Sequence, residues 1–339
     1  MTAGRVYVVL VNYNGWRDTV ECLESLLRSD YPDFRVIVCD NASPNDSVAR
    51  LLAWADGQEA PAPVSGAMRE FSHPPLPKPI PHAVLSAEQP ISPAAGNELL
   101  FIRISKNLGF AGGCNVGMRV ALADPATAYI WLLNNDTVVP PTALKRAVEK
   151  LGETSAVPPP VGMCGSSLLF YDAPTTVQAA GGGIYRKWWG ITQGCGSFQS
   201  IDSIDEAAAL RRLDYIAGAA LLVTREFIET VGFMAEDYFL YFEELDWVRR
   251  ARGRFALAYA RESIVYHKEG GSIGTRSVAA QRSRLADEYG VRNRIRFTRR
   301  FHPYALPTVY LGLIGAIANR IRRRQFDRVG MILRAMLGL

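Results

Sequence analysis

The sequence predicts an α/β fold with a mostly parallel sheet, and three observations support this. Strand-like and helix-like segments alternate from the apolar run RVYVVLVNY at 5–13 onward. The strand segments are apolar throughout, which is typical of parallel strands covered on both faces. Polar clusters follow where three of these strands stop, at 12–14, 40–41 and 134–136. In such sheets ligands bind at the carboxyl ends of the strands.

The predicted elements follow in chain order. The first helix, DTVECLESLLRS, carries Val20 and its leucines on one face, after Asp18 as a helix cap. The next strands are FRVIVCDNAS at 34–43 and LLFIRIS at 99–105. A glycine-rich turn and a helix come after them, and YIWLL at 129–133 is the strand that ends in the third polar cluster.

Between residues 56 and 98 lie nine of the twenty prolines. Proline at this density interrupts both helix and sheet, so we expect an inserted loop within a domain at 1–275. The five cysteines show no C-x-x-C pair, which argues against a disulfide framework and a zinc site and favours a reducing cytoplasm. The N-terminal apolar run is short and has no basic leader, so we expect a strand and not a signal peptide.

Residues 276–339 are strongly basic, with fourteen arginines against three acids and no lysine. The stretch 304–319 is weakly polar but shorter than the about 20 residues that span a bilayer. We therefore expect a basic amphipathic helical region lying on an anionic membrane surface. A solvated helix pair and a nucleic-acid patch are alternatives. The apolar face among the arginines favours the membrane, so no nucleic acid is expected as partner.

Two segments suggest phosphate and metal chemistry. The turn NLGFAGGCNVG at 107–117 lets backbone approach a ligand at a helix start, unless it is only a tight connection. Neither the dinucleotide fingerprint nor a Walker P-loop is present, which argues against dehydrogenases and NTPases. Asn134, Asn135 and Asp136 offer oxygen ligands suited to Mg²⁺ or Mn²⁺. An Asx turn that caps the next helix is the alternative.

Four carboxylates lie among aromatic residues in DYFLYFEELDW, namely Asp237, Glu243, Glu244 and Asp246. Apolar surroundings raise a carboxyl pKa, which suits a general base near neutral pH. A helix N-terminus that favours acids is the alternative.

His267 ends another apolar strand, where it is either a ligand or a structural histidine. Trp188 and Trp189, flanked by basic residues in a glycine-rich loop, predict either an apolar platform for a sugar or lipid-linked acceptor, or core packing.

Taken in order, these stretches resemble the family 2 glycosyltransferases of the GT-A fold, in particular their bacterial rhamnosyltransferase-like branch. The resemblance covers residues 5–275 apart from the proline-rich insert. It rests on VVLVNYNGWRDTVECLESLL, VIVCDNASPNDS, NLGFAGGCNVGMRVAL, WLLNNDTVVPPTALKRAV, GAALLVTREFIETVGFMAEDYFLYFEELDWVRRARG and VYHKEGGSIG. It implies one nucleotide-diphospho-sugar-binding Rossmann-like domain with a mostly parallel mixed sheet, followed by the basic helical extension.

The resemblance also implies site residues. Those expected to bind the nucleotide-sugar are Asn12, Asn14, Asp40, Asn41, Asn107, Gly109, Phe110, Gly113, Asn115, Asn134, Asn135 and Gly218. Asp136 falls at the metal-binding position of the D-x-D motif, with His267 and Asn134 as further ligands, although Asn134 stands where Asp is commoner. Glu244 falls at the second position of the Glu-Asp pair and is the expected base. Glu243 and Asp246 are its alternatives.

The implied activity is an inverting, Mg²⁺- or Mn²⁺-dependent transfer of a sugar from a nucleoside diphosphate to a glycan or polyprenyl-linked acceptor. Its setting would be cell-surface polysaccharide synthesis at the inner face of the cytoplasmic membrane. The branch, including YGVRNRIRFTRRFHP, implies L-rhamnose from dTDP-rhamnose. UDP-galactose and UDP-N-acetylglucosamine are alternative donors. A non-catalytic glycan-binding relative and a membrane- or RNA-tethering protein are alternative functions.

Overall fold

The computed structural model describes residues 4–62, 64, 66–89, 98–154, 158–251, 253–268 and 283–338. Its strands are β1 (Arg5–Asn12), β2 (Phe34–Asp40), β3 (His82–Ser86), β4 (Leu99–Arg103), β5 (Thr127–Leu133), β6 (Thr137–Val138), β7 (Val161–Phe170), β8 (Ala173–Ala180), β9 (Gly182–Arg186), β10 (Ile191–Gly194), β11 (Tyr215–Ile216), β12 (Ala220–Thr224) and β13 (Ala256–His267). Its α-helices are α1 (Trp16–Leu26), α2 (Ser47–Ala55), α3 (Arg69–Ser72), α4 (Gly109–Leu122), α5 (Ala143–Thr154), α6 (Glu206–Leu210), α7 (Arg225–Val231), α8 (Glu243–Ala251), α9 (Arg284–Phe301), α10 (Leu306–Arg322) and α11 (Phe326–Leu337).

A ten-stranded mixed sheet forms the centre of the protein. Its order is β3-β4-β2-β1-β5-β12-β7-β13-β6, and β8 pairs with β7. The first five strands in this order are parallel, β12 is antiparallel to both neighbours, and β13 is parallel to β7. The predicted α/β fold with a mostly parallel mixed sheet is confirmed.

Apolar residues cover both faces of the sheet because the strands are apolar on both sides. Along β1, Val8 and Leu10 face a core shared with α1, α2 and α5, while Tyr7 and Val9 face a core shared with α4, α7 and α8. Burial of each large apolar side chain contributes about 1.5–3 kcal/mol. The helices thus leave mainly the strand ends open to ligands.

The proline content of segment 56–98 predicts a loop, but the segment also contains regular structure. It contributes the short helix α3 and the strand β3, which pairs with β4 at the edge of the sheet. β3 contains no proline, and an edge strand needs hydrogen bonds on one side only. Residues 90–97 lie outside the described residues.

The predicted C-terminal helical extension is present as α9, α10 and α11. Asn293 of α9 ties it to the body by donating to the carbonyl oxygens of Tyr238, Leu240 and Tyr241 at 2.7, 2.7 and 3.1 Å. The predicted boundary between residues 275 and 276 lies outside the described residues. Among the helices that the structure describes, none combines the length and hydropathy needed to cross a membrane.

Candidate active site

The carboxyl ends of the central strands border a cleft of about 230 Å³. The start of β12 lies at the same edge, because β12 is antiparallel to β5. The predicted site residues that line this cleft are Asn41, Asn107, Gly109, Phe110, Asn134, Asn135, Asp136, Gly218, Glu243, Glu244 and His267. The fold therefore brings together groups that are up to 226 positions apart in the chain.

Asp136 and His267 form one corner of the cleft. His267 ends β13 and pairs with Thr137 of β6, which places its Nε2 3.1 Å from Asp136 Oδ1. Asn134 Nδ2 lies 3.2 Å from the same imidazole nitrogen. On the opposite side of the ring, Nδ1 lies 2.8 Å from Gln178 Oε1, which is an acceptor, so Nδ1 carries the proton.

This corner suits a divalent cation. A neutral imidazole with its proton on Nδ1 directs the Nε2 lone pair toward the Asp136 carboxylate, and a proton or metal ion between them relieves the repulsion. Rotation of the Asn134 side-chain amide would add an oxygen ligand. Among the described residues no three His, Cys, Asp or Glu side chains come together. The protein therefore supplies only part of the metal's ligand set. Mg²⁺ and Mn²⁺ bind to such partial sets when phosphate oxygens and water complete the coordination shell.

The glycine-rich turn forms the opposite wall. Asn41 holds it, because its Oδ1 accepts from Leu108 N at 2.9 Å and its Nδ2 donates to Asn107 Oδ1 at 3.0 Å. Gly109 has φ +73°, and a Cβ there would lie 2.4 Å from the carbonyl oxygen of Phe239. Only glycine therefore allows this close approach at the start of α4.

Asn12 and Asp40 lie beside each other at the ends of β1 and β2, behind the cleft wall. Asn12 Nδ2 donates to Asp40 Oδ2 at 2.6 Å, and Ser43 donates to both Asp40 oxygens. Asn135 Nδ2 joins this network by donating to Thr19 Oγ1 at 2.8 Å. The network fixes the strand ends. Asp40 keeps acceptor capacity, so its contact with a nucleotide base stays a prediction.

Glu244 lies at the start of α8 against the backbone of Gly218. A Cβ at position 218 would lie 2.0 Å from Glu244 Oε1. Burial raises the pKa of Glu244 to about 7, against hydrogen bonds from the backbone that lower it. The structure thus gives Glu244 the property that the sequence predicts for a base.

Glu243 also lines the cleft but differs in character. Its side chain is buried, its Oε2 has no hydrogen-bond partner, and burial and the Glu244 charge raise its pKa well above the ordinary value. Two adjacent carboxylates do not ionise together easily. Burial therefore favours the protonated form at both carboxyls, and the Glu244 charge adds to this effect on the pKa of Glu243.

The loop before α8 is strained. Phe239, Tyr241 and Phe242 have φ values of 63°, 69° and 74°, which are unfavourable for aromatic residues. Such conformations persist where surrounding contacts impose them, often at functional sites. Here they turn the backbone so that Phe239 and Tyr241 line the cleft beside both glutamates.

Several predicted residues do not line the cleft. Asp246 is buried and bound by Arg250 at 2.6 Å and Arg300 at 3.0 Å, so it is a structural residue and not a candidate base. Asn115 is hydrogen-bonded to the backbone of Met234, and Gly113 packs where a Cβ would lie 2.8 Å from Val11. The exposed Asn14 joins the β1–α1 turn to Ser43 and Asn45 through its backbone. Asn14, Gly113 and Asn115 do not line the cleft, and their contact with a nucleotide-sugar stays a prediction.

A second groove of about 670 Å³ adjoins the cleft. Gly218, Tyr241, Glu244 and His267 line both spaces, so Glu244 lies between them. The far wall of the groove comes from α9, α10 and α11, and the near wall from the β9–β10 hairpin. No local pattern in the sequence indicates this groove, since its walls are distant in the chain.

Trp188 and Trp189 lie at the tip of the β9–β10 hairpin. They are 50% and 47% exposed, so they are not core residues. Trp188 packs edge-on against Tyr304 at 5.6 Å, and the backbone of Trp188 accepts a hydrogen bond from Thr308. The exposed rings therefore adjoin the basic C-terminal helices.

The solved structures that resemble this chain carry the same fold. The mannosyltransferase PcManGT from Pyrobaculum calidifontis, solved with GDP-Man and Mn²⁺, matches 98% of this chain and 86% of its own at 15% identity, with TM-score 0.52. GalNAc-T7, solved with UDP, GalNAc and Mn²⁺, matches 86% of this chain and 47% of its own at 12% identity, with TM-score 0.52. No curated protein matches the sequence significantly.

The mixed sheet and its strand-end cleft define a GT-A fold of the glycosyltransferase class. The profile of glycosyl transferase family 2 matches residues 7–63 and 87–212, more than half of the sequence. The chain therefore belongs to glycosyl transferase family 2, and it is a glycosyltransferase. The match ends before Gly218, Glu244 and His267, so their placement comes from the structure alone.

Proposed function

We propose that this glycosyltransferase uses a divalent metal to transfer a sugar from a nucleoside diphosphate to an acceptor with inversion at the anomeric carbon. One observation carries the proposal: the Asp136–His267 corner and Glu244 face a single cleft. A cation site for a diphosphate and a base for an acceptor hydroxyl are the two functions that this transfer needs.

The donor is proposed to lie along the cleft. Asp136 and His267, with the Asn134 amide oxygen after rotation, would hold Mg²⁺ or Mn²⁺. The metal would offset negative charge on the leaving diphosphate. N–H groups at the start of α4 favour phosphate. The two similar structures were solved with Mn²⁺ and a nucleotide, which supports this arrangement.

The acceptor is proposed to enter from the second groove. Its hydroxyl donates its proton to the Glu244 carboxylate while the hydroxyl oxygen attacks the anomeric carbon. The bond to the nucleoside diphosphate breaks on the opposite face, which inverts the configuration. Glu244 suits this step because its pKa of about 7 lets it be ionised yet basic near neutral pH.

The acceptor is proposed to be lipid-linked, with the enzyme peripheral on the inner face of the cytoplasmic membrane. The helix α10 carries the exposed apolar residues Leu311 and Ile314, and its Gly312 packs against the ring of Trp189. Aromatic and aliphatic residues insert at the headgroup layer, and arginines bind anionic lipid. These features support membrane contact more than contact with nucleic acid.

A donor panel tests the function. Purified enzyme with Mn²⁺ is incubated with dTDP-rhamnose, UDP-galactose, UDP-N-acetylglucosamine and GDP-mannose, and release of nucleoside diphosphate is measured. We expect one donor to be hydrolysed, dTDP-rhamnose being the first proposal, and the hydrolysis to stop in EDTA. Hydrolysis of no donor, or equal rates in EDTA, would contradict the proposal.

A further inference from the structure

Arg294 of α9 lines the second groove and has no acidic partner among the residues that the structure describes. Its Nε is buried without a hydrogen-bond partner, and its guanidinium forms no ion pair with any carboxylate of the described residues. Burial lowers the pKa of Arg294. A half-buried guanidinium whose Nε is withdrawn from water without a partner is costly, so folding alone does not account for it.

The surroundings are built to hold this side chain. A Cβ at Gly190 would lie 2.9 Å from Arg294 Cγ, and a Cβ at Gly312 would lie 2.7 Å from Arg294 Nη2. The side chain thus runs between the β9–β10 hairpin and α10, through space left by two glycines. Packing and not an ion pair fixes its position.

The same wall of the groove carries further positive charge. Asp287 lies between Arg320 at 2.7 Å and Arg328 at 3.0 Å, so one carboxylate faces two guanidinium groups. Of these groups, Arg294, Arg320 and Asp287 line the groove, which places two cations and one anion on its helical wall. The other carboxylate lining the groove, Glu244, belongs to the wall shared with the donor cleft.

Apolar surface adjoins the cations. Leu313, Ala316 and Ile332 line the groove beside Arg294 and Arg320. On the same helix as Leu313, the residues Leu311 and Ile314 are 61% and 54% exposed. A ligand that fits this wall has an anionic group and an apolar chain together.

We propose that Arg294 binds the phosphate of a phosphorylated lipid acceptor, whose sugar then reaches Glu244 along the groove. The inference rests on the proposed function for the identity of the groove as the acceptor site. A guanidinium binds phosphate through paired N–H donors, which suits both a lipid phosphate and free phosphate. The apolar residues of the groove wall favour a lipid phosphate over free phosphate.

Titration calorimetry in EDTA tests the anion site, since the donor cleft binds a diphosphate only with metal in this proposal. The probes are farnesyl phosphate, farnesol and inorganic phosphate. We expect farnesyl phosphate to bind at least about tenfold more tightly than either of the others. Equal affinity for farnesol would overturn the anion site, and equal affinity for inorganic phosphate would overturn the lipid.

Variants locate the site. Arg294→Gln should weaken farnesyl phosphate binding about tenfold or more, and Arg294→Lys should weaken it less, because it keeps the charge but loses the paired donors. Arg299→Gln removes an exposed charge from the same helix and should bind like the wild type. If folded Arg294→Gln, judged by its melting temperature, binds like the wild type, Arg294 is not the site.

Donor hydrolysis separates this inference from the proposed function. Arg294→Gln should hydrolyse the donor in Mn²⁺ as the wild type does. If the wild type hydrolyses no donor, the proposed function fails whatever the calorimetry shows. If donor hydrolysis is normal and lipid phosphate does not bind, only the acceptor inference fails.

Discussion

Replacement of Glu244 by glutamine should abolish transfer and stabilise the fold at the same time. Glutamine keeps the shape and can still accept from the Gly218 backbone, but it is neutral at every pH. Burial raises the Glu244 pKa from its ordinary 4.5 to about 7. The raised pKa therefore lowers the free energy of unfolding by up to about 3 kcal/mol at pH 8 and by about 1 kcal/mol at pH 5.

The raised pKa of Glu244 destabilises the folded state at high pH. A carboxyl whose pKa is raised in the folded state destabilises the fold above that pKa, and the penalty disappears below the unfolded value. Glu244→Gln should therefore raise the free energy of unfolding by up to about 3 kcal/mol at pH 8 and by about 1 kcal/mol at pH 5. Urea unfolding at both pH values measures this difference.

Glu262→Gln is the matched control, because its side chain is 69% exposed on β13. It should change stability little at either pH. In the wild type, transfer should fall about tenfold for each pH unit below about 7, as Glu244 becomes protonated. A Glu244→Gln variant that transfers sugar normally, or gains no stability at pH 8, would refute the role and the burial respectively.

Four further predictions follow from the site. His267→Ala should raise the Mn²⁺ concentration for half-maximal activity about tenfold or more, and an unchanged metal titration would count against ligation. Gly218→Ala should lower kcat about 100-fold by displacing Glu244, with donor binding by calorimetry unchanged. Asp246→Asn should lower the unfolding free energy by about 1–3 kcal/mol in urea, since it leaves two partly exposed arginines without their carboxylate. Trp188→Ala with Trp189→Ala should weaken sedimentation with anionic vesicles and leave binding to neutral vesicles equally low; undiminished sedimentation would exclude the hairpin as a membrane contact.

The sequence could predict the strand ends because their signal is local. An apolar run that stops at polar side chains, as at Asn134 and Asp136, marks the carboxyl end of a parallel strand. The fold then gathers such ends at one edge. The pairing of Asp136 with His267 follows from this rule combined with the order of the sheet.

The rest of the site depends on packing between distant segments. Gln178, which orients His267, is one polar residue within a strand and gives no local signal. Asn115 and Gly113 carry ligand-like residue types, but helix packing uses them. The sequence contains many arginines and does not show which of them form ion pairs. Only the structure shows that Arg294 has no acidic partner among the described residues.

Asp136 and His267 are proposed to hold a metal that binds the diphosphate of the donor. Calorimetric titration with dTDP, UDP and GDP, each with Mn²⁺ and with EDTA, tests it most directly. We expect one nucleotide to bind with Mn²⁺ only, and Asp136→Asn to lose this binding while its melting temperature stays within a few degrees of the wild type. Equal binding in EDTA, or full binding by Asp136→Asn, would contradict it.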